Sequence, residues 1–319
     1  MPQITYATGV PSFKGAGLIA DVWSKLIQMG LYKRTYLGRT TSTTYIGEIK
    51  YKGAKITIPR VPEVDIEGLV HLKPYEVKEK LADSFEMTVN RGLRWSQAYS
   101  EYDQARSNIA DLDSKTLMGV QNRIDEHVNA EFISEFPDLV TVAGNKGNSA
   151  GVISGGYKLG TAANPVEATF ANIVEYLMQF SAVLDETDVN NESGQRAILI
   201  PTIMGHYLKS SEKLIDASKI GGTSSLKTQY LTNLPGIGQI YISNQLPKLD
   251  NGAFPILCYT KEAINYVMAV RKTRVIKEME LYDATLLRGY AIYDWGVARP
   301  EGLALGYAKP SQTAIATAA

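Results

Sequence analysis

The chain has 319 residues, enough for about two domains and a substantial hydrophobic core. Its 45% hydrophobic and 21% charged residues are typical of a folded globular protein. The 33 basic residues balance 33 acidic ones, which argues against a protein whose main task is to grip duplex phosphate.

The first 30 residues predict an arm followed by a short helix. Residues 1–14 contain Pro2, Gly9 and Pro11 and predict an extended arm without a core of its own. Residues 16–29 predict an amphipathic helix that ends at Gly30. Its apolar side is formed by Leu18, Ile19, Val22, Trp23, Leu26 and Ile27. So short a helix is marginal alone, so we expect it to pack on its own domain or on a neighbouring copy.

The next segment predicts β structure that leaves the body of the protein and returns. Residues 45–61 predict a hairpin with its turn at Lys52 and Gly53. Residues 61–81 form two extended pieces bounded by prolines, and residues 84–90 alternate as a strand does. We therefore expect a two-stranded excursion of about 25 to 40 residues, which needs a partner surface because an isolated ribbon is unstable in water.

A long helix is predicted over residues 101–136, loosened near 111–114. The segment has no proline and one glycine, Gly119. Its apolar residues recur at the three-to-five-residue intervals of one helix face: Ile109, Leu112, Leu117, Val120, Ile124, Val128 and Phe132. At 1.5 Å per residue such a helix would span roughly 50 Å, more than a compact domain needs. A broad, flat protein accommodates a rod of this length.

The second half predicts alternating helices and strands. After Pro137, residues 140–157 are rich in glycine, asparagine and serine and predict a surface loop. A helix is predicted over 166–185, a buried strand over 196–201, and a helix capped by Thr202 through Ser210. The remaining segments are predicted as a turn and strand over 235–247, a strand over 253–260, a helical turn over 261–265, a long strand over 266–280, a loop over 281–288, two final strands broken at 299–302, and a flexible tail over 309–319.

Motifs that carry chemistry are missing. His71, His127 and His206 lie far apart without metal-ligand spacing, and no nucleophile elbow or phosphate-binding loop occurs. The acidic run 185–192 partly resembles a calcium loop but lacks its glycine and closing glutamate. We expect Cys258 to be a small buried residue. We therefore expect no catalytic residue, no metal ion and no cofactor, and we interpret the protein as something other than an enzyme.

Two further expectations concern compartment and surface. The chain opens without a signal-peptide pattern and has no apolar run near the about 18 residues of a membrane helix, so we expect neither secretion nor a membrane contact. The basic residues of 271–277 could face nucleic acid, but Glu278 and Glu280 offset them. We interpret this strand as a solvated or intersubunit face.

Several sequence stretches, in this order, resemble the major capsid (coat) proteins of tailed bacteriophages, which have the Hong Kong 97-type fold. The stretches are GEIKYKGAKITIPRVPEVDI, SFEMTVNRGLRW, ADLDSKTLMGVQNRIDEHV, ILIPTIMGHYLKSSE, GIGQIYISNQLP and RGYAIYDWGVARPEGLALGY. None is a strict signature, but their order and spacing together extend the resemblance from about Lys14 to Ala308.

The resemblance implies an α+β fold with the parts of that family. These are an N-terminal arm with its amphipathic helix (1–40), an extended β-hairpin loop (62–84), a peripheral domain with the long spine helix (45–61, 85–136 and 267–300), and an axial α/β domain (137–266 and 302–308). In that family the arm and the extended loop lie over adjacent subunits.

The same resemblance implies a structural protein that self-assembles as hexamers and pentamers into an icosahedral capsid around double-stranded DNA. The implied partners are further copies of the chain, a scaffolding protein, a portal, and a decoration or cement protein, with assembly in the host cytoplasm and residence in the virion. An encapsulin-like bacterial nanocompartment shell and a trimeric receptor-binding or fibre protein stay open as alternatives. We hypothesise intersubunit contacts at the arm residues Trp23, Leu26 and Ile27 and at the loop residues Glu76, Lys78, Glu79 and Lys80.

Overall fold

A computed structural model describes most of the chain from Tyr36 onward. The described residues are 33, 35–45, 55–59, 66, 68, 84–100, 112–187, 196–211, 234, 236–276 and 284–311. Their helices are α1 (Leu37–Thr40), α2 (Leu112–Ser134), α3 (Phe136–Leu139), α4 (Ile173–Glu186) and α5 (Thr202–Lys209). Their strands are β1 (Lys55–Pro59), β2 (Ser84–Thr88), β3 (Arg91–Ser100), β4 (Val166–Ala168), β5 (Arg196–Pro201), β6 (Gln239–Ser243), β7 (Phe254–Thr260), β8 (Ile264–Ile276), β9 (Ala284–Val297) and β10 (Leu303–Pro310).

A five-stranded mixed sheet forms the centre, in the order β4-β10-β7-β5-β6. Strand β5 is buried along its whole length, because side chains on both faces of the sheet pack into cores. Ile198 and Ile200 join one hydrophobic cluster with α4 and α5, while Ala197 and Leu199 join another with α2. The strands predicted over 196–201 and 253–260 are therefore confirmed.

A second sheet, in the order β3-β9-β8, is antiparallel and carries α2 across one face. The apolar stripe of α2 buries Ile124, Val128 and Phe132 in the same cluster as Tyr293 and Trp295 of β9. The ring of Phe132 meets that of Trp295 edge to face at 5.6 Å, a favourable aromatic geometry. The cluster continues to the central sheet through Leu257 and Leu303, so the two sheets share one core.

Strands β1 and β2 form an antiparallel ribbon against the second sheet. Ile56 and Met87 pack on Val267 and Ile292. Pro59 pairs with Ser84, so the two ends of segment 60–83 lie side by side, as the predicted excursion requires. The first strand of the hairpin predicted over 45–61 lies outside the described residues.

The segment before the long helix and the helix itself both differ from what the sequence suggested. No strand was predicted over residues 91–100, but Arg91–Ser100 is a strand paired along its full length with β9. The helix runs without interruption from Leu112 through Ser114, where loosening was expected; residues 101–111 lie outside the described part.

Other boundaries also differ from prediction. The helix predicted from residue 166 begins at Ile173, because Val166–Ala168 pairs in parallel with β10. Thr202 is the first residue of α5, and Pro201 at the cap makes no side-chain bond. The loop predicted over 281–288 gives way to β9 from Ala284, and the turn predicted over 261–265 passes into β8 at Ile264. The division into arm, loop, peripheral and axial domains stays a prediction.

Candidate assembly surface

The two described histidines lie on different helices. His127 lies 3.7 Å from Glu131 on α2, and His206 packs beside the ring of Phe170. No group of three or more potential metal ligands comes together within the described ranges. Burial raises the pKa of the Cys258 thiol to about 12, which leaves it protonated at neutral pH. No described helix has both the length and the apolar character needed to cross a bilayer.

The acidic run weighed as a calcium loop begins with a structural ion pair. The Asp185 carboxylate lies 2.7 Å from the guanidinium of Arg196, whose side chain is fully buried. Arg196 also donates to Ser181, at 3.0 Å to its hydroxyl and 3.2 Å to its carbonyl oxygen. Asp185 thus neutralises a buried cation, and residues 188–192 lie outside the described part.

The intersubunit contacts predicted from the sequence fall where the structure describes nothing. Trp23, Leu26, Ile27, Glu76, Lys78, Glu79 and Lys80 all lie outside the described residues. Their roles stay predictions. The structure describes the two strands that flank the predicted loop, β1 and β2.

Arg91 fixes the end of α2 to the second sheet. Its guanidinium makes two contacts with the Glu135 carboxylate, at 2.7 and 2.9 Å, and donates to Asp294 at 3.1 Å. It also stacks over the Trp295 ring at 4.0 Å. Burial lowers the pKa of Arg91, but Glu135 and Asp294 raise it by more, so the cation is stabilised.

A second clamp holds the middle of α2. Arg271 of β8 donates to the Gln121 carbonyl and to the Asp125 carboxylate, each at 3.0 Å. Tyr293 of β9 donates to Glu131 between the two clamps. Helix and sheet therefore form one stiff unit, which suits a surface that must meet partners in a fixed geometry.

The far half of the second sheet, opposite α2, carries a cluster of cations that we call the basic face. Its members are Arg94, Ser96, Lys272, Arg274, Arg288 and Tyr290. The strand register places Arg94, Tyr290 and Lys272 in one row and Ser96, Arg288 and Arg274 in the next. Side chains two residues apart on a strand share a face, so both rows point the same way.

The basic face lines a groove of about 670 Å³, and none of the described residues in its lining is acidic. Tyr290 is 42% exposed, and all four cations are exposed. The rows lie about 7 Å apart along the strands and span about 10 Å across them. Two unit charges about 7 Å apart repel by about 0.6 kcal/mol in water. An anionic partner in the groove would reduce the repulsion among its cations.

Sequence reasoning found only part of this face. The alternation of Lys272 and Arg274 in β8 was visible in the sequence. Residues 271–275 of this strand, interpreted as a solvated or intersubunit face, are exposed. Arg94 was missed because β3 was not predicted as a strand. Arg288 was assigned to a loop.

A rigid apolar tip projects elsewhere, between Ala150 and Tyr157. Ile153 at the tip is 81% exposed. The Glu186 carboxylate accepts the backbone amides of Ile153 and Ser154 at 2.9 and 3.1 Å. A hydrogen bond from the Ser154 hydroxyl and the two bonds from these amides lower the pKa of Glu186. Together they fix the loop while the Ile153 side chain faces water. With Val152, which is 57% exposed, Ile153 forms a small apolar patch in contact with water.

Solved structures similar to this chain identify its fold. No protein-family model matches the sequence, and no curated protein is significantly similar to it. A chain from Mycobacterium phage Che8 is 16% identical with a TM-score of 0.67, over 91% of this chain and 97% of that one. The capsid structure of the cyanophage P-SCSP1u is 15% identical with a TM-score of 0.67, over 92% and 94%. The mature capsid of bacteriophage PhiM1 gives 13% identity and a TM-score of 0.61, over 98% of both chains.

Proposed function

This chain has the fold of tailed-phage major capsid proteins, and we propose that it is a shell subunit of a tailed phage. The observation that carries the proposal is coverage in both directions. Between 94% and 98% of the three capsid-fold chains, and between 91% and 98% of this one, superimpose. The likeness therefore extends over whole chains and is not limited to one common substructure.

The surface of the single chain supports the proposal independently. It combines a basic face with no acid among its described lining residues, an apolar tip at Ile153, and an outer strand β3 whose free edge has no strand partner among the described residues. Unpaired edges and exposed apolar groups favour association. Closed symmetry among identical copies would cover all three kinds of surface at once.

The finer proposal follows the family resemblance. The chain adopts the Hong Kong 97-type division into arm, extended loop, peripheral and axial domains, and forms hexamers and pentamers that close an icosahedral shell around double-stranded DNA. A scaffolding protein, a portal, and a decoration or cement protein complete the particle in the host cytoplasm. The paired ends of segment 60–83 support an extended loop at this position.

Electron microscopy and sedimentation of the purified full-length protein test the proposal. We expect closed shells of uniform diameter, formed by the protein alone or when co-expressed with its scaffolding partner. A stable monomer under both conditions would exclude a shell protein. A discrete trimer would favour the fibre alternative, and shells that carry protein cargo in the producing cell would favour a nanocompartment.

The arm contact has its own test. Trp23→Ala should lower the yield of shells while the circular dichroism of the unassembled subunit stays nearly unchanged. If the subunit itself unfolds, Trp23 belongs to the core of its own chain and the arm contact is wrong.

A further inference from the structure

The turn that leads into β7 contains the single Asn-Gly sequence of the chain, at Asn251 and Gly252. The Leu249 amide donates to the Ala253 carbonyl at 2.9 Å and closes the turn. Asn251 is exposed, and Gly252 has a φ of +82°, which glycine adopts without steric cost. The residue after Asn251 therefore has no Cβ to shield its backbone nitrogen from the neighbouring side chain.

The carboxamide of Asn251 is folded toward the peptide unit that follows it. Its Oδ1 accepts the backbone amide of Ala253 at 3.1 Å, the bond that asparagine commonly makes two residues along the chain. This bond holds Cγ on the side where the Gly252 nitrogen lies, and it polarises the side-chain carbonyl. A nitrogen and a carbonyl carbon of the same turn are thus kept close together, which favours a reaction between them.

We propose that Asn251 is a deamidation site, at which the Gly252 backbone nitrogen displaces ammonia from the Asn251 side chain. The nitrogen bonds to Cγ and gives up its proton, while the bond from Cγ to Nδ2 breaks and Nδ2 takes up a proton and leaves as ammonia. Water then opens the five-membered imide at either carbonyl, which gives aspartate or isoaspartate. Water is the one co-reactant, and nothing is oxidised or reduced. The site needs only the folded subunit and does not depend on the proposed function.

Two further hydrogen bonds oppose the attack. The Gly252 amide donates to the Leu249 carbonyl at 2.8 Å, so the attacking nitrogen is already engaged. The leaving group, Nδ2 of Asn251, donates to the Ala162 carbonyl at 2.6 Å and ties the side chain to the loop before β4. Both bonds must open before the ring closes. Because each contributes a modest net free energy, the fold should slow the reaction by about 10- to 100-fold relative to an unfolded chain.

Conversion changes what the side chain at position 251 can bind. An aspartate keeps an oxygen for the Ala253 amide but has no N–H for the Ala162 carbonyl, so that hydrogen bond is lost and two acceptors face each other. An isoaspartate also adds a carbon to the backbone within the turn. In both products the turn loses this hydrogen bond to loop 161–164.

Peptide mapping of the full-length, unassembled subunit measures the reaction. Trypsin releases residues 249–261 as one peptide, in which Asn251 is the only asparagine or glutamine, and residues 147–158 as another with Asn148 alone. Samples are kept at pH 8 with and without guanidinium chloride, and conversion is followed by mass. The folded subunit should convert at Asn251 about 10- to 100-fold more slowly than the unfolded chain. In the unfolded chain Asn251 should react faster than Asn148, because Ser149 carries a Cβ.

Three results of this mapping would overturn the proposal. Equal rates in the folded and unfolded samples would show that the two opposing hydrogen bonds exert no control. A folded sample without detectable conversion, once the unfolded sample has reacted completely, would show that the fold closes the site. If Asn148 reacts as fast as Asn251 in the unfolded chain, the glycine does not direct the reaction.

Asn251→Asp reproduces one product and tests its consequence. Within loop 161–164 the Thr161 amide donates to the Asn164 carbonyl, and the Asn164 amide donates to the Thr161 hydroxyl, each at 3.0 Å. Hydrogen exchange of these two amides should become about two- to tenfold faster, because one hydrogen bond to the loop is lost. Asn122→Asp adds the same charge at an exposed position on α2 and should leave both amides unchanged. Unchanged exchange in Asn251→Asp, or equal acceleration in both variants, would contradict the loss of this contact.

Discussion

Replacing Arg91 tests whether the clamp at the end of α2 stabilises the subunit. Arg91→Met keeps most of the side-chain volume but removes the charge, the paired contacts with Glu135, the hydrogen bond to Asp294 and the stacking on Trp295. Asp294 keeps two backbone donors, from Asn90 at 3.0 Å and Trp295 at 2.9 Å, so it is not left unpaired. The loss therefore reflects the contacts of the guanidinium itself.

The contacts indicate a loss of about 2–3 kcal/mol. A hydrogen bond to a charged group contributes about 1.5–3 kcal/mol, and a partly exposed cation–π contact about 0.5–1 kcal/mol. The side chains of Arg91 and Glu135 are each 32% exposed, so solvent screening keeps the total below the plain sum. Arg91→Lys should lose about 1–2 kcal/mol, because an ammonium keeps the charge but neither the planar fork nor the stacking.

Urea unfolding of the unassembled full-length subunit, followed by circular dichroism, measures these losses. The matched control is Arg299→Met, which removes a pair with Glu262 whose side chains are 67% and 58% exposed. An exposed pair of this kind contributes at most about 1 kcal/mol. If Arg91→Met lowers the unfolding midpoint no more than Arg299→Met, the clamp contributes nothing and the reasoning is refuted.

Three further predictions concern single positions. Gly160→Ala should cost about 3 kcal/mol or more in the urea assay, because Gly160 has a φ of +87° and a new Cβ would collide with a backbone carbonyl; Gly38→Ala, which faces open space, should change stability by under about 1 kcal/mol. The lowered pKa of Glu186 means that its carboxylate stabilises the fold above its ordinary pKa of 4.5, and that this contribution disappears as pH falls through the lower folded value. Glu186→Gln should abolish that acid dependence and speed hydrogen exchange of the two amides that the carboxylate accepts; unchanged exchange would contradict it. Cys258 should resist thiol reagents at pH 8 in the folded subunit and react fully in urea, whereas rapid native labelling would show that its strand opens.

The sequence predicted elements well where burial alone determines them. Arg196–Pro201 and Phe254–Thr260 are nearly unbroken apolar runs, because both faces of the central sheet are covered. The stripe of Ile124, Val128 and Phe132 likewise identified α2, since one wide face of that helix meets the core. For these segments the local pattern and the tertiary environment agree.

Elements that depend on a distant partner were not predictable. Arg91–Ser100 has polar residues on both faces, and it is a strand because ten consecutive residues pair with β9. The sequence predicts the start of a helix at Val166–Ala168, but this segment pairs with β10 in the central sheet. In both cases pairing across a large sequence separation overrides local propensity, which is weak for short segments.

The basic face depends on such pairing entirely. Arg94 and Arg288 come from strands that the sequence did not predict at those positions, and only the register with β8 brings them beside Lys272 and Arg274. Composition gave no warning, because the compensating acids lie in the same neutral chain. A surface of this kind is a product of strand register, because residues from three strands that are far apart in the sequence form its two rows.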